Sequence, residues 1–226
     1  MAIAIVPLVS GLLGLVFSAL LFRRAAARGG AHHLVWALGM LLYAAGGLSE
    51  AVTAAFGWQA WIFRVWYISG AVLAAAWLGQ GTVYLLVRRR WVHALTAVLA
   101  AASVYAAVRV SLAVLDATLA GGELTGKAIV TGGVRSLTPF FNTYGTLALV
   151  GGALYSAVVF LRKKVLGHRV VGNVLIAVGA MLPAVGGSLS RSGVRGLLYA
   201  FELAGVVLMF AGFLRATTPP ASPGEG

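Results

Sequence analysis

The sequence predicts an all-α integral membrane protein of seven transmembrane helices, its N-terminus outside and its C-terminus in the cytoplasm. Three observations predict it. The 226-residue chain is 61% hydrophobic and only 10% charged, against roughly 25% charged residues in soluble domains, so the solvent for most of it is lipid. The apolar residues come in runs that reach the roughly 20 residues a span requires. The basic residues, which give a net charge of +12, fall in short bursts between those runs. Backbone groups in hydrocarbon must be satisfied within the protein, and without strand-like alternation the runs imply helices, not a barrel.

The spans are read at 2–22, 33–55, 60–87, 91–114, 139–161, 170–189 and 196–214. The first carries no charge ahead of its apolar run and is followed by Arg23 and Arg24, the reverse of a signal peptide, so it is expected to be retained. The second starts at a His32–His33 pair. The third and fourth exceed the minimum length and can tilt. The fifth opens on Pro139, and the sixth contains Pro183, which removes a hydrogen-bond donor and is expected to kink it. The seventh has no lysine, which excludes the Schiff-base chemistry of retinal proteins. Residues 217–226, rich in Pro, Ser and Gly, read as a disordered tail.

Orientation follows from the basic residues. Arg23, Arg24, Arg28, Arg88, Arg89, Arg90, Arg162, Lys163, Lys164, Arg169 and Arg215 flank the ends that share a side with the C-terminus, eleven of the seventeen Lys and Arg. Arg64, Arg109, Lys127, Arg135, Arg191 and Arg195 take the other side. This asymmetry puts the C-terminus inside, in the manner of the cytoplasmic membrane of a prokaryote, with the inner loops meeting anionic headgroups. Trp58, Trp61, Trp66 and Tyr67 are then expected to form an outer aromatic belt.

The chain also matches itself. Gly14, Phe17, Ser18, Ala19, Phe22 and Arg24 align with Gly152, Tyr155, Ser156, Ala157, Phe160 and Arg162, and ALGMLLYAAGG at 37–47 aligns with AVGAMLPAVGG at 177–187. Gly70, Val72 and Leu73 align more weakly with Gly205, Val207 and Leu208. One membrane domain, 1–216, is therefore read as repeat A (1–87), a linker helix (91–114) and repeat B (136–215), a 3+1+3 arrangement of parallel repeats related by an axis along the membrane normal. The double glycines Gly46–Gly47 and Gly186–Gly187 allow either close helix approach or a bend. Sugar-type efflux carriers, vitamin carriers and rhodopsin-like bundles share such a layout, but none of their motifs occurs here, so the likeness is one of architecture alone.

Charges within spans are expensive and mark function. Glu50, Arg64, Tyr67, Arg109, Asn142, Tyr144, Arg191 and Glu202 all fall near the outer ends of their helices and are read as candidate ligand-binding residues, the carboxylates facing Arg64 and Arg109 in pairs or around a solute. Interfacial snorkelling is the competing reading. Asp116 and Glu123 read as solvated loop residues. Gln80, Tyr84 and Asn173 make a second polar set toward the inner side. His32, His33, His93 and His168 stand at inner helix ends, but no HExxH pair occurs and no Cys completes a ligand set, so no metal and no cofactor is expected.

The reading ranked first is a carrier of a small polar or amphipathic solute. A sensor or receptor subunit signalling to a separate cytoplasmic partner comes second. A membrane enzyme or accessory subunit comes last, because no nucleophile–base pair is visible. The expected partners are the bilayer, a small-molecule ligand, and a second copy or a cytoplasmic protein, with no nucleic acid.

Overall fold

Apolar residues of good helix propensity fill each run, and in the computed structural model they form seven helices. It describes residues 2–87, 89–164, 167–191 and 197–217, with the side chains of 2, 3, 190, 191 and 197 left out of the description. The helices are α1 (Ala2–Arg28), α2 (Ala31–Phe56), α3 (Ala60–Leu86), α4 (Trp91–Ser111), α5 (Leu137–Arg162), α6 (Gly167–Arg191) and α7 (Leu197–Thr217). Each is long and apolar enough to cross a membrane, consistent with a polytopic integral membrane protein, and no strand occurs among the described residues. Of the expected tail at 217–226, Thr217 is the last residue of α7 and the rest lies outside the described residues, as do the start of the last span at Gly196 and the basic residues Arg88 and Arg195.

Helix ends differ from the hydropathy limits where propensity carries on past the apolar run. α1 continues through Ala25, Ala26 and Ala27 to Arg28, because alanine favours the helix whether or not lipid surrounds it. α2 stops at Gly57, whose φ of 84° suits only glycine.

The chain forms two compact units, Met1–Leu149 and Val150–Gly226, which divide within α5. Lipid tails are as apolar as leucine, so helices in a bilayer associate through close backbone approach and interhelical hydrogen bonds. The first unit uses both. A Cβ on Gly47 would lie 3.2 Å from the Pro7 carbonyl oxygen and the Gly11 nitrogen of α1, and one on Gly46 would lie 2.9 Å from Gly70 Cα of α3. The double glycine therefore lets α2 touch a neighbour on each side, which decides for close approach over a bend. The Ser18 hydroxyl of α1 donates to Ala37 O of α2 at 2.7 Å. α3 meets α5 where Gly79 faces Gly145, and a Cβ on Gly145 would overlap the Ala75 carbonyl group.

In the second unit α6 and α7 meet at Gly172 with Gly212 and at Gly179 with Gly205, two crossings separated by about two turns. α6 runs unbroken through Pro183, whose ring packs against Gly205. The aligned double glycines are used differently: Gly186 faces Phe201 and nothing stands within 4 Å of a Cβ on Gly187.

Around α3 a core collects Phe63, Tyr67 and Val72, Leu99 and Val110 of α4, Phe141 of α5, and Ala120, Ala128 and Ile129 of the segment joining α4 to α5. That joining segment is folded. It carries two short 3-10 turns and an antiparallel bridge pairing Leu115 with Ile129.

Gly145→Ala should force α3 and α5 apart and destabilise the protein by about 1–3 kcal/mol, read as a lower melting temperature in detergent. Gly187→Ala, with open space around it, should leave that temperature unchanged or slightly higher.

Candidate functional site

Six of the eight candidate residues, Glu50, Arg64, Tyr67, Arg109, Asn142 and Tyr144, belong to the first unit and two, Arg191 and Glu202, to the second. The first unit's six fall into three settings, all organised around α3.

Midway along α3 the helix widens. Residues Tyr67–Leu73 form a π-helical segment between two α-helical stretches, with the Ala74 amide reaching back to Ser69 O. Such segments disturb the hydrogen-bond ladder and are frequent at functional sites. Here Asn142 Nδ2 donates to Ala71 O at 3.0 Å from α5. The Thr138 hydroxyl donates to the Tyr67 hydroxyl at 2.8 Å. Both residues stand on α5, and Asn142 satisfies a carbonyl that the widened segment exposes.

Glu50 stands on α2 beside the start of that segment. It is buried, at 5% exposure, and Oε1 accepts from Trp66 Nε1 at 2.8 Å. Trp66 continues into an aromatic stack: Phe63 lies 5.8 Å from Trp66 and from Trp58, and 5.7 Å from Tyr67. Of the four rings expected in an outer belt, Trp61 alone is exposed; Trp58 and Trp66 are half-buried and Tyr67 is buried. The other three turn inward because they pack on the fully buried Phe63. Thr53, one turn beyond Glu50 and equally buried, has a hydroxyl with no hydrogen-bond partner among the described residues.

The arginines go elsewhere. Arg64 Nε donates to Ser111 O at 3.1 Å and Nη2 to Ala113 O at 3.2 Å, so its guanidinium caps the carbonyls left unpaired where α4 ends. Arg109 stacks on Tyr105 at 5.7 Å, donates to the Tyr105 hydroxyl at 2.7 Å, and reaches Gly132 O at 3.3 Å. Both hold the α4–α5 segment. Asp116 in that segment accepts from the amide and hydroxyl of Thr118, which holds its carboxyl below the usual range. It caps a short turn and is more than a solvated loop residue.

Tyr144 points into a polar chain that sequence reading divided between outer and inner sets. Its hydroxyl donates to Gln80 Oε1, and Gln80, at 0% exposure, donates from Nε2 to the Thr96 hydroxyl at 2.7 Å and to Val92 O at 3.4 Å. The Thr96 and Tyr84 hydroxyls are 2.9 Å apart, and Tyr84 meets His93 Nδ1 at 3.0 Å. The chain joins α5, α3 and α4 from mid-span to the start of α4. Gln80 is its hub, and the signal for it was an amide inside an apolar run. Asn173 instead donates to Arg169 O of its own helix.

Glu202 is half-buried in α7, and the Arg191 side chain lies outside the described residues. The histidines take local partners: His33 Nδ1 meets Gly29 O at 3.0 Å, and His32 stacks on His33 at 4.0 Å. No group of three or more His, Cys, Asp or Glu is placed to hold a metal among the described residues. No protein-family model, curated protein or solved structure matches this chain.

Replacing Arg64 with Gln should uncap α4, lower stability by about 1–3 kcal/mol, and speed protease cleavage between 112 and 136. Arg64→Lys should restore only part of the protection, since a point charge cannot fork between two carbonyls. Asn142→Leu, which strips Ala71 O of its donor, should lower stability by about 1 kcal/mol in an unfolding titration.

Proposed function

We propose that the chain carries a small polar or amphipathic solute across the membrane and that Glu50 is the group that meets it. The observation that supports this reading is a carboxylate buried within a membrane helix at the edge of a π-helical segment. An ionisable side chain at that depth is costly unless function retains it. A carboxylate presents only acceptors when ionised, and the indole and phenyl faces that begin at Trp66 favour positive charge. The solute class these groups suit is an amine or another organic cation with hydrogen-bond donors. The buried Thr53 hydroxyl, on the same face one turn away, adds an acceptor.

Two further features agree with a carrier. The π-helical segment is a place where α3 can change register, and it crosses α2 closely where Gly46 meets Gly70. In this reading the sequence repeat of 1–87 and 136–215 would form two parallel three-helix bodies of the kind that rock in alternating access, with the N-terminus outside and the positively flanked ends in the cytoplasm.

Counterflow in proteoliposomes tests the reading with a panel of labelled amines, quaternary ammonium compounds, sugars and carboxylates. At least one cationic solute should show exchange above protein-free vesicles. Glu50→Gln should lower that exchange about tenfold, equivalent to ~1.4 kcal/mol, while the variant keeps its melting temperature. A flat response across the panel sinks the carrier, and exchange that survives Glu50→Gln unchanged removes Glu50 from it.

A further inference from the structure

The segment joining α4 to α5 is apolar on both faces. Its inner face is packed away: Ala113 is 3%, Ala128 0% and Ile129 4% exposed, all against the α3–α4 core. Where the backbone is extended, side chains alternate, so Val114 and Val130, which follow Ala113 and Ile129, point outward, and they are equally apolar. Leu112, at the end of α4, is 78% exposed, and Val114 and Val130, joined by a backbone hydrogen bond beside the bridge, are 64% and 55% exposed. We propose that this outward face is an interfacial anchor seated in the bilayer, against the lipid of the leaflet on that side.

Continuity identifies the occupant. α4 buries one stripe, Val92, Leu99, Ser103, Ala106 and Val110, and exposes the opposite one through Val98, Val104 and Val108. In a membrane helix that exposed stripe meets lipid. Leu112 follows Val108 at the helical spacing of four residues, and the chain passes from it directly to Val114, so the lipid-facing stripe runs unbroken into the bridge.

The backbone is prepared for such a place. Non-helical chain at membrane depth needs its peptide groups satisfied within the protein. Val130 N donates to Val114 O at 3.0 Å, Asp116 N to Ala128 O at 2.9 Å, and Val114 N to the Thr131 hydroxyl at 2.8 Å. Arg64 takes Ser111 O and Ala113 O, and Arg109 takes Gly132 O. Both arginines therefore serve the anchor, and Arg109 with Tyr105 marks the headgroup level where such side chains settle. Of the segment's four charged residues, Glu123 and Lys127 stand exposed at its far turns, Asp116 is turned onto the amide and hydroxyl of Thr118, and Arg135 is exposed just before α5.

The chain has no cysteine, so single-cysteine variants carry one spin label each. The test uses the full chain in phosphatidylcholine–phosphatidylglycerol vesicles, labelled at Val114→Cys, Val130→Cys, Val104→Cys or Lys127→Cys, with accessibility to oxygen and to a water-soluble nickel chelate measured by EPR. At 114 and 130 the oxygen-to-nickel ratio should match that at 104 and exceed that at 127 severalfold. A ratio at 130 equal to that at 127 places the face in water and overturns the proposal. Exclusion of both reagents overturns it too, assigning the face to a second copy if the labels broaden one another and to the protein's own interior if they do not. All four sites are exposed, so the labels leave the packed core intact.

Discussion

Helix α3 cannot leave a peptide group unpaired inside hydrocarbon, and where its ladder widens at Tyr67–Leu73 the facing helix α5 supplies a donor. Asn142 reaches Ala71 O, and Thr138 reaches the Tyr67 hydroxyl. These bonds bring the start of α5 onto α3, and the Gly79–Gly145 crossing that follows brings Tyr144 within reach of Gln80. Gln80 in turn binds α4 through Thr96. One constraint, satisfaction of polar groups without water, accounts for how three helices of the first unit, α3, α4 and α5, meet.

The same constraint explains the arginines. A guanidinium offers five donors and stays charged, and a helix end offers carbonyls that nothing else in a bilayer can satisfy. Arg64 and the end of α4 answer each other, and Arg109 does the same for the returning chain at Gly132. Their reach to backbone oxygens separates them from Glu50, whose described partner is Trp66.

The seven spans were legible because the hydropathy of each run reports its solvent directly, whatever the helix packs against. The glycines were legible as contact points, with the partner undetermined, since a small residue says that something comes close and does not name it. The polar residues were the least legible. Along the chain, Arg64, Arg109, Asn142, Tyr144 and Glu50 share only a depth, and depth is common to residues on every side of a bundle. The folded α4–α5 segment left little trace because its ladder is a single bridge, too short for a periodic pattern.

What the sequence by itself determined is a chain of seven apolar helices with an uneven distribution of charge along it, for these depend only on how each residue partitions between water and lipid. Which polar group answers which was decided by tertiary structure alone. Gln80 pairs with Tyr144 because two glycines let α3 and α5 touch, and Arg64 caps α4 because the end of that helix returns to the start of α3. Partition is a property of single residues; a hydrogen bond across helices needs two of them at one place, and only the packed backbone sets that place.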